Sequence, residues 1–276
     1  MRPQKIVTNV VFYLAMIFGA TVMIFPVIYM FSASLMSRQE IFSTPIKIFP
    51  EALRFSNYIE VFTRFNIHMY LNNSIIVAVS VIAISAFTST LVGYSLAKFQ
   101  FPGKQFVFYF IIATMMIPFT VIVIPLYLLI LKLNWANSYE ALIIPSAMTP
   151  FGVFLLRQFI LDLPDDYIDA ARIDGSSEIG IFLKIIMPLS ISAISATSIM
   201  TFVSNWNSFL WPLIVTSRQR YMTLPLGLAQ FLNLYEQEWH LLMTSSVIAV
   251  FPVLVIFLLF QRKFIEGMTG MTGLKA

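Results

Sequence analysis

The chain has 276 residues, 59% of them hydrophobic and only 11% charged, with a mean hydropathy of +0.85. Soluble domains carry about 25% charged residues, so the composition excludes an ordinary soluble domain and points to a chain dissolved in lipid. The net charge of +4 comes without a clustered basic patch, which excludes nucleic-acid binding, and the lack of cysteine excludes disulfides and thiolate metal sites.

A bilayer core of about 30 Å takes about 20 apolar residues as helix. Six intervals free of Lys, Arg, Asp, Glu and His meet or nearly meet that length, which predicts an all-α membrane protein with six transmembrane helices: 6–37, 69–97, 105–131, 141–156, 185–217 and 241–261. The first follows a basic start, "MRPQK". Its apolar run is far longer than the 7–15 residues of a signal peptide, which predicts an uncleaved anchor. A polar loop, 37–69, follows. The second interval opens with "YLNNSIIVA" (70–78). The fourth contains Pro145, Pro150 and Gly152. It reads as a kinked helix extended by Ser138–Ala141 at one end and by a snorkelling Arg157 at the other. The fifth carries "FVSNWNSFLWPLI" (202–214), and a second polar loop, 217–240, leads into the sixth.

Lys and Arg set the sidedness. With the N-terminus inside, Arg2, Lys5, Lys98, Lys104, Arg157, Arg172, Lys184, Arg262, Lys263 and Lys275 fall in the cytoplasm. Arg38, Lys47, Arg54, Arg64, Lys132, Arg218 and Arg220 fall outside. The excess puts both termini in the cytoplasm.

No predicted span has an acidic or basic residue at its centre, so a proton relay is missing. There is no phosphate-cradling G-x-x-x-x-G-K-[ST] loop, no H-E-x-x-H, and no G-x-S-x-G elbow. His68 and His240 have no partner at ligand spacing. The chain therefore reads as a transport part rather than an enzyme, one that receives its energy from outside.

One segment breaks the apolar pattern: "DDYIDAARIDGSSEIGIFLKIIMPL" (165–189). It reads as helix–turn–helix over 162–188. Pro164 suits a first helical turn, and Asp165 and Asp166 in that turn complement the positive end of the dipole. Tyr167, Ile168, Ala170, Ala171 and Ile173 supply apolar surface, and the small alanines allow another backbone to approach closely. Gly175 is a natural stop. Ser176 or Ser177 can cap a second helix that starts near Glu178 and runs through Phe182 and Ile185 towards Pro188. On local physics the segment is either a partner-docking helix or a solvated amphipathic one.

The same stretch resembles the EAA motif of ABC importer permeases: E-A-A, three residues, Gly, nine residues, I-x-L-P. The corresponding positions are Asp169, Ala170, Ala171, Gly175, Ile185, Met187 and Pro188, with Asp for Glu and Met for Leu as the departures. "YLNNSIIVA", "GYSLAKFQFPGK" (93–104) and "FVSNWNSFLWPLI" resemble the carbohydrate branch of these permeases. The tail 261–276, with Gly267, Thr269, Gly273 and Lys275, is similar to that of the maltose-transporter type.

The resemblance implies a type I importer fold and three regions. These are an N-terminal helix with an extracytoplasmic loop (1–69), a permease domain (70–262) with a cytoplasmic coupling helix at about 164–175, and a cytoplasmic tail (263–276). It implies a subunit of an ATP-driven sugar importer in a prokaryotic plasma membrane. The expected partners are a second homologous permease, two cytoplasmic ATPase subunits and an extracytoplasmic sugar-binding protein. The chain itself needs no cofactor or metal, since ATP and Mg²⁺ are used by the ATPase. Asp169, Ala170, Ala171, Gly175, Ile185 and Pro188 carry the ATPase contact in this reading. Loops 37–69 and 217–240 face the binding protein in this reading; the second, with Tyr221, Tyr235, Glu236, Glu238, Trp239 and His240, is either a contact surface or a simple amphipathic connector.

For the translocation path the resemblance directs attention to Asn72 and Asn73, opening span two, and to Asn205, Trp206, Asn207 and Trp211 in span five. Two readings of these residues stand. They are either a polar–aromatic lining for a neutral oligosaccharide, or interhelical hydrogen-bond glue and an interfacial aromatic belt. The competing class, a stand-alone secondary transporter or channel, would need inverted repeats, coupling ions or a charged filter.

Overall fold

A computed structural model describes residues 3–234 and 238–270. All regular elements among them are helical: α1 (Pro3–Ala33), α2 (Arg38–Ile41), α3 (Ser56–Arg64), α4 (Ile67–Lys98), α5 (Lys104–Met115), α6 (Phe119–Lys132), α7 (Tyr139–Ala147), α8 (Pro150–Leu161), α9 (Asp166–Ile173), α10 (Glu178–Ile181), α11 (Met187–Leu189), α12 (Ile191–Trp206), α13 (Leu210–Val215), α14 (Leu224–Leu234) and α15 (Trp239–Gly270). Among the described residues, four stretches are long and apolar enough to cross a membrane as they stand: Val11–Ala33, Ile67–Lys98, Tyr139–Leu161 and Trp239–Gln261. Two further pairs, α5 with α6 and α10–α11 with α12, qualify only if each bent pair counts as one crossing.

Those pairs correct the expectation of continuous spans over 105–131 and 185–217. The α5–α6 pair bends by 102°. Pro118 precedes α6 with ψ 136. It cannot donate a helical hydrogen bond, and its ring pushes Ile117 away from helical geometry. The second bend, 76°, follows Pro188. Upstream of it the backbone widens into a π-turn over Phe182–Ile186, with Met187 N–H reaching back to Phe182 O. The next residue, Pro188, has no N–H to offer, so the ladder slips rather than leaving a gap. The fourth span is kinked as expected. Thr149 is extended because it precedes Pro150, and Pro150 starts α8.

The chain forms two compact units. One comprises the chain up to His68 together with Gly227–Phe251. Its loop is organised by Glu40, which is buried. The Glu40 carboxylate accepts from Ser37 N–H and from Glu51 N–H, both at 2.7 Å. Ser37 in turn caps α2, completing a reciprocal capping box. These bonds, led by the Ser37 side chain, hold the Glu40 carboxyl down at about 2. Asn57 Nδ2 binds the carbonyls of Ser34 and Met36, both at 2.9 Å, and Thr244 Oγ1 binds Ser34 O at 2.9 Å.

The other unit comprises Met69–Leu226 with the chain from Pro252 on. Its core includes Tyr94, Leu155, Leu156, Ile160, Ile168, Ala171, Ile181, Phe182 and Ile186, which join α4, α8, α9 and the π-turn. Helices α4 and α8 approach closely at Gly152, where a Cβ would sit 2.6 Å from Thr149 Oγ1 and 2.8 Å from Ser89 Oγ.

Candidate functional site

Two features of the second unit carry chemistry. The first is the helical hairpin built by α9 and α10. Helix α9 ends as its sequence predicts. Gly175 has φ +80. Ser176 N–H returns to Ala171 O at 2.9 Å and Gly175 N–H to Arg172 O at 3.0 Å, the paired bonds of a Schellman stop. Ser177 Oγ then accepts from Gly180 N–H and caps α10. The start differs from expectation: Pro164 lies ahead of the helix and Asp165 occupies the N-cap without a side-chain cap bond. The Asp165 carboxylate is drawn instead to Lys98 Nζ at 2.7 Å. Lys98 also donates to Leu163 O at 2.6 Å, so the last residue of α4 holds the entry to α9. Arg172 Nε meets Glu178 at 2.8 Å across the turn, and Tyr94 OH donates to the same carboxylate at 3.2 Å.

Of the residues expected to contact an ATPase, Asp169, Ala170 and Gly175 are exposed on the hairpin, as is Pro188 beyond it. Ala171 is not. It is 7% exposed and packs into the core with Ile168. Its small side chain lets α9 lie close to its own unit, which removes it from any outward contact surface. Ile185 packs partly against the same core. Tyr167 and Ile173 face outward, with Ile173 87% exposed.

The second feature is a cavity of about 860 Å³. Three helix interruptions border it: Met115 and Phe119 flank the first, Met148–Gly152 span the second and Ser208–Leu210 the third. Irregular backbone is tolerated inside a membrane where it is buried in protein or lines a cavity. Among the described residues, no Asp, Glu, Lys, Arg or His lines the space. Its polar groups are the hydroxyls of Thr114, Ser146, Thr149, Thr197, Thr201, Ser204 and Ser208, with the Asn205 amide. Phe119, Phe151, Phe209 and Trp211 supply aromatic faces. Such a wall can hydrogen-bond and stack a neutral polyhydroxylated molecule but cannot neutralise a charged one.

The six expected path residues separate. Asn205 and Trp211 line the cavity. Asn73 does not: it is 2% exposed, donates to Arg220 O at 2.9 Å and Met222 O at 2.8 Å, and accepts from Tyr139 OH at 2.6 Å. It is interhelical glue. Asn72 is exposed outside the cavity, Asn207 turns back to Val203 O at 2.9 Å, and Trp206 is buried against Phe202. Nothing in the motifs singles out the hydroxyls of Thr114, Thr149, Thr197, Thr201 and Ser204. The signal for Thr114, Thr149, Thr201 and Ser204 is the proline or asparagine–serine break near each, "MMIPFT", "MTPFG" and "NWNSF"; none adjoins Thr197.

The two ends of α4 gather different segments. The Asn73 end collects Tyr139, Arg220 and Met222, and Ser74 Oγ accepts from Leu224 N–H at 2.7 Å. Nearby in sequence, Asn137 Oδ1 accepts from Ser217 and Arg218 N–H. The Lys98 end collects Leu163, Asp165, Glu178 and Arg157. Tyr235, Glu236, Gly273 and Lys275 lie outside the described residues, as does Arg2.

Comparison with known proteins agrees with this architecture. Residues 89–269 match the family model described as binding-protein-dependent transport system inner membrane component. The arabinooligosaccharides transport system permease protein AraQ of Halalkalibacterium halodurans is 37% identical over 255 residues, 91% of each chain. The sn-glycerol-3-phosphate transport system permease protein UgpE of Brucella abortus is 30% identical over 277 residues, covering 97% of this chain and 98% of its own. Among solved structures, a chain of a bacterial ABC transporter involved in the import of the acidic polysaccharide alginate superposes with a TM-score of 0.87 at 20% identity. That match covers 96% of this chain and 99% of the other, and establishes the shared fold.

Proposed function

From the premise that the chain belongs to the binding-protein-dependent transport system inner membrane components, we propose that it is the sugar-translocating permease subunit of an ATP-driven importer whose cargo is a neutral oligosaccharide. The cavity carries this reading: its lining is uncharged, rich in hydroxyls and aromatic, and sits where three helices are interrupted. Interrupted helices are the usual way a transporter exposes polar backbone to its cargo. The name of the 37% identical relative, a permease for arabinooligosaccharides, points the same way. A phosphate-bearing cargo like that named for the UgpE relatives would need a cationic group that this lining lacks.

In this reading the cargo arrives from an extracytoplasmic sugar-binding protein, and a second permease subunit completes the membrane core. Two cytoplasmic ATPase subunits supply ATP and Mg²⁺ chemistry, and the chain itself uses no cofactor. Each crossing spans the plasma membrane of a prokaryotic cell, with six crossings and both termini inside. The segregation of connecting segments to the two ends of α4 supports that alternation. The α9–α10 hairpin then faces the cytoplasm and takes the ATPase contact through Asp169, Ala170 and Gly175, with Tyr167 and Ile173 beside them. Lys98 and the core around Ala171 transmit its displacement to α4 and α8. Rigid coupling of this kind lets one closure event bias a two-state membrane core.

The test is uptake into liposomes by the chain assembled with its partner permease, ATPases and binding protein. Uptake of labelled neutral oligosaccharide that requires both ATP and the binding protein is expected, with no uptake of glycerol phosphate. Transport by the isolated chain would instead establish a stand-alone carrier.

A further inference from the structure

We propose that the recess between the α4–α5 loop and α8 binds the phosphate of an anionic phospholipid headgroup, gripped by Lys104 and Arg157. The recess measures about 640 Å³, and around the two cations Gln100 and Gln105 add polar groups and Phe108 an aromatic face. Arg157 is held by its stem: the guanidinium lies 3.8 Å over the Phe108 ring, and Nε donates to Leu96 O at 3.2 Å. Among the described residues, its two terminal nitrogens meet no acceptor. Lys104 Nζ donates to Phe99 O at 2.8 Å and Ala97 O at 3.2 Å, which leaves one N–H free.

No carboxylate among the described residues lies within ion-pair distance of either cation, although Lys98 and Arg172 at the same end of the unit both meet acids. Two cations sharing a recess repel each other. A planar fork beside an ammonium is the arrangement that a phosphate satisfies. The dipole of α5, which begins at Lys104, adds to this field without being its source.

The lipid, rather than a free anion, follows from what lies next to the recess. Along α5, Phe106, Tyr109 and Phe110 are 74%, 63% and 62% exposed, and Phe106 stacks on Phe110. That apolar ridge suits acyl chains, while the recess suits a headgroup at the interface. On the topology proposed above this end faces the cytoplasmic leaflet, where anionic lipids attract basic pockets between membrane helices.

The experiment uses the assembled importer in nanodiscs of phosphatidylglycerol and phosphatidylcholine, with retained lipid read by native mass spectrometry. Wild type is expected to retain phosphatidylglycerol saturably, at one site per copy of this chain. Lys104→Gln combined with Arg157→Gln should weaken that retention on the order of tenfold, and Arg157→Lys should weaken it less. Equal retention of the two lipids, or no change in the double variant, overturns the proposal. Inorganic phosphate at millimolar concentration should not displace the lipid; displacement would assign the recess to a free anion instead. If the double variant fails to assemble, the wild-type titration decides alone, because non-saturable retention also overturns the site. Lipid retention requires neither cargo nor ATP, so its failure leaves the transport reading standing, and failed uptake leaves the lipid site standing.

Discussion

The indole N–H of Trp211 donates to the carbonyl oxygen of Ala141 at 2.8 Å, and that carbonyl is the one Pro145 cannot serve. In an uninterrupted helix, residue 145 would donate to residue 141; proline has no N–H to give. A cavity-lining side chain from α13 thus supplies the hydrogen bond that Pro145 leaves vacant inside α7.

Trp211→Phe should therefore leave a buried carbonyl unpaired and cost about 1–2 kcal/mol, read as a lower melting temperature of the assembled importer. Pro145→Ala restores the missing donor. The double variant should recover most of the lost stability, whereas additive losses would show that the indole acts only by packing.

Gly175→Val places a β-branched residue at φ +80 and should cost at least about 1 kcal/mol locally. A Cβ there meets nothing within 4 Å, so backbone strain, not a clash, is the cause. ATP-driven uptake should fall several-fold while binding-protein affinity for the cargo stays unchanged. Wild-type assembly and uptake would remove Gly175 from the coupling contact.

Asn205→Ala should lower cargo affinity in the membrane core by roughly tenfold, the worth of one lost hydrogen bond. Asn207→Ala should leave it unchanged, because that side chain faces its own helix. Asn73→Ala should lower stability by about 2 kcal/mol without altering which sugars are carried. Cargo binding that responds alike to Asn205 and Asn207 would contradict the placement of the path.

Glu40 sets a pH limit on the loop between α1 and α4. Its carboxyl is lowered from 4.5 to about 2 in the folded protein. The stabilisation is thus fully present above about pH 4.5 and is lost as pH falls towards 2. The loss should be on the order of 2 kcal/mol, followed by protease accessibility of the loop. Glu40→Gln should flatten that profile; an unaltered profile would assign the acid sensitivity to another group.

Much of this protein is legible in its residues. Composition and span length require a membrane chain, and no predicted span carries a charge at its centre. The Asp169–Ala170–Ala171 to Gly175 to Pro188 spacing marks the hairpin. Its Gly175 stop and Ser177 cap form as expected, because both are satisfied within a few residues of chain. Tertiary packing decided the rest. Asn73 and Asn205 are the same residue type on two apolar helices, yet one staples carbonyls 147 and 149 positions away and the other lines the cavity. Ala170 and Ala171 are adjacent and identical, but only Ala170 faces outward. Hydropathy cannot tell the faces of an all-round apolar helix apart. Its rotation is set by the distant groups it packs against, and so is the depth at which a proline break opens a cavity.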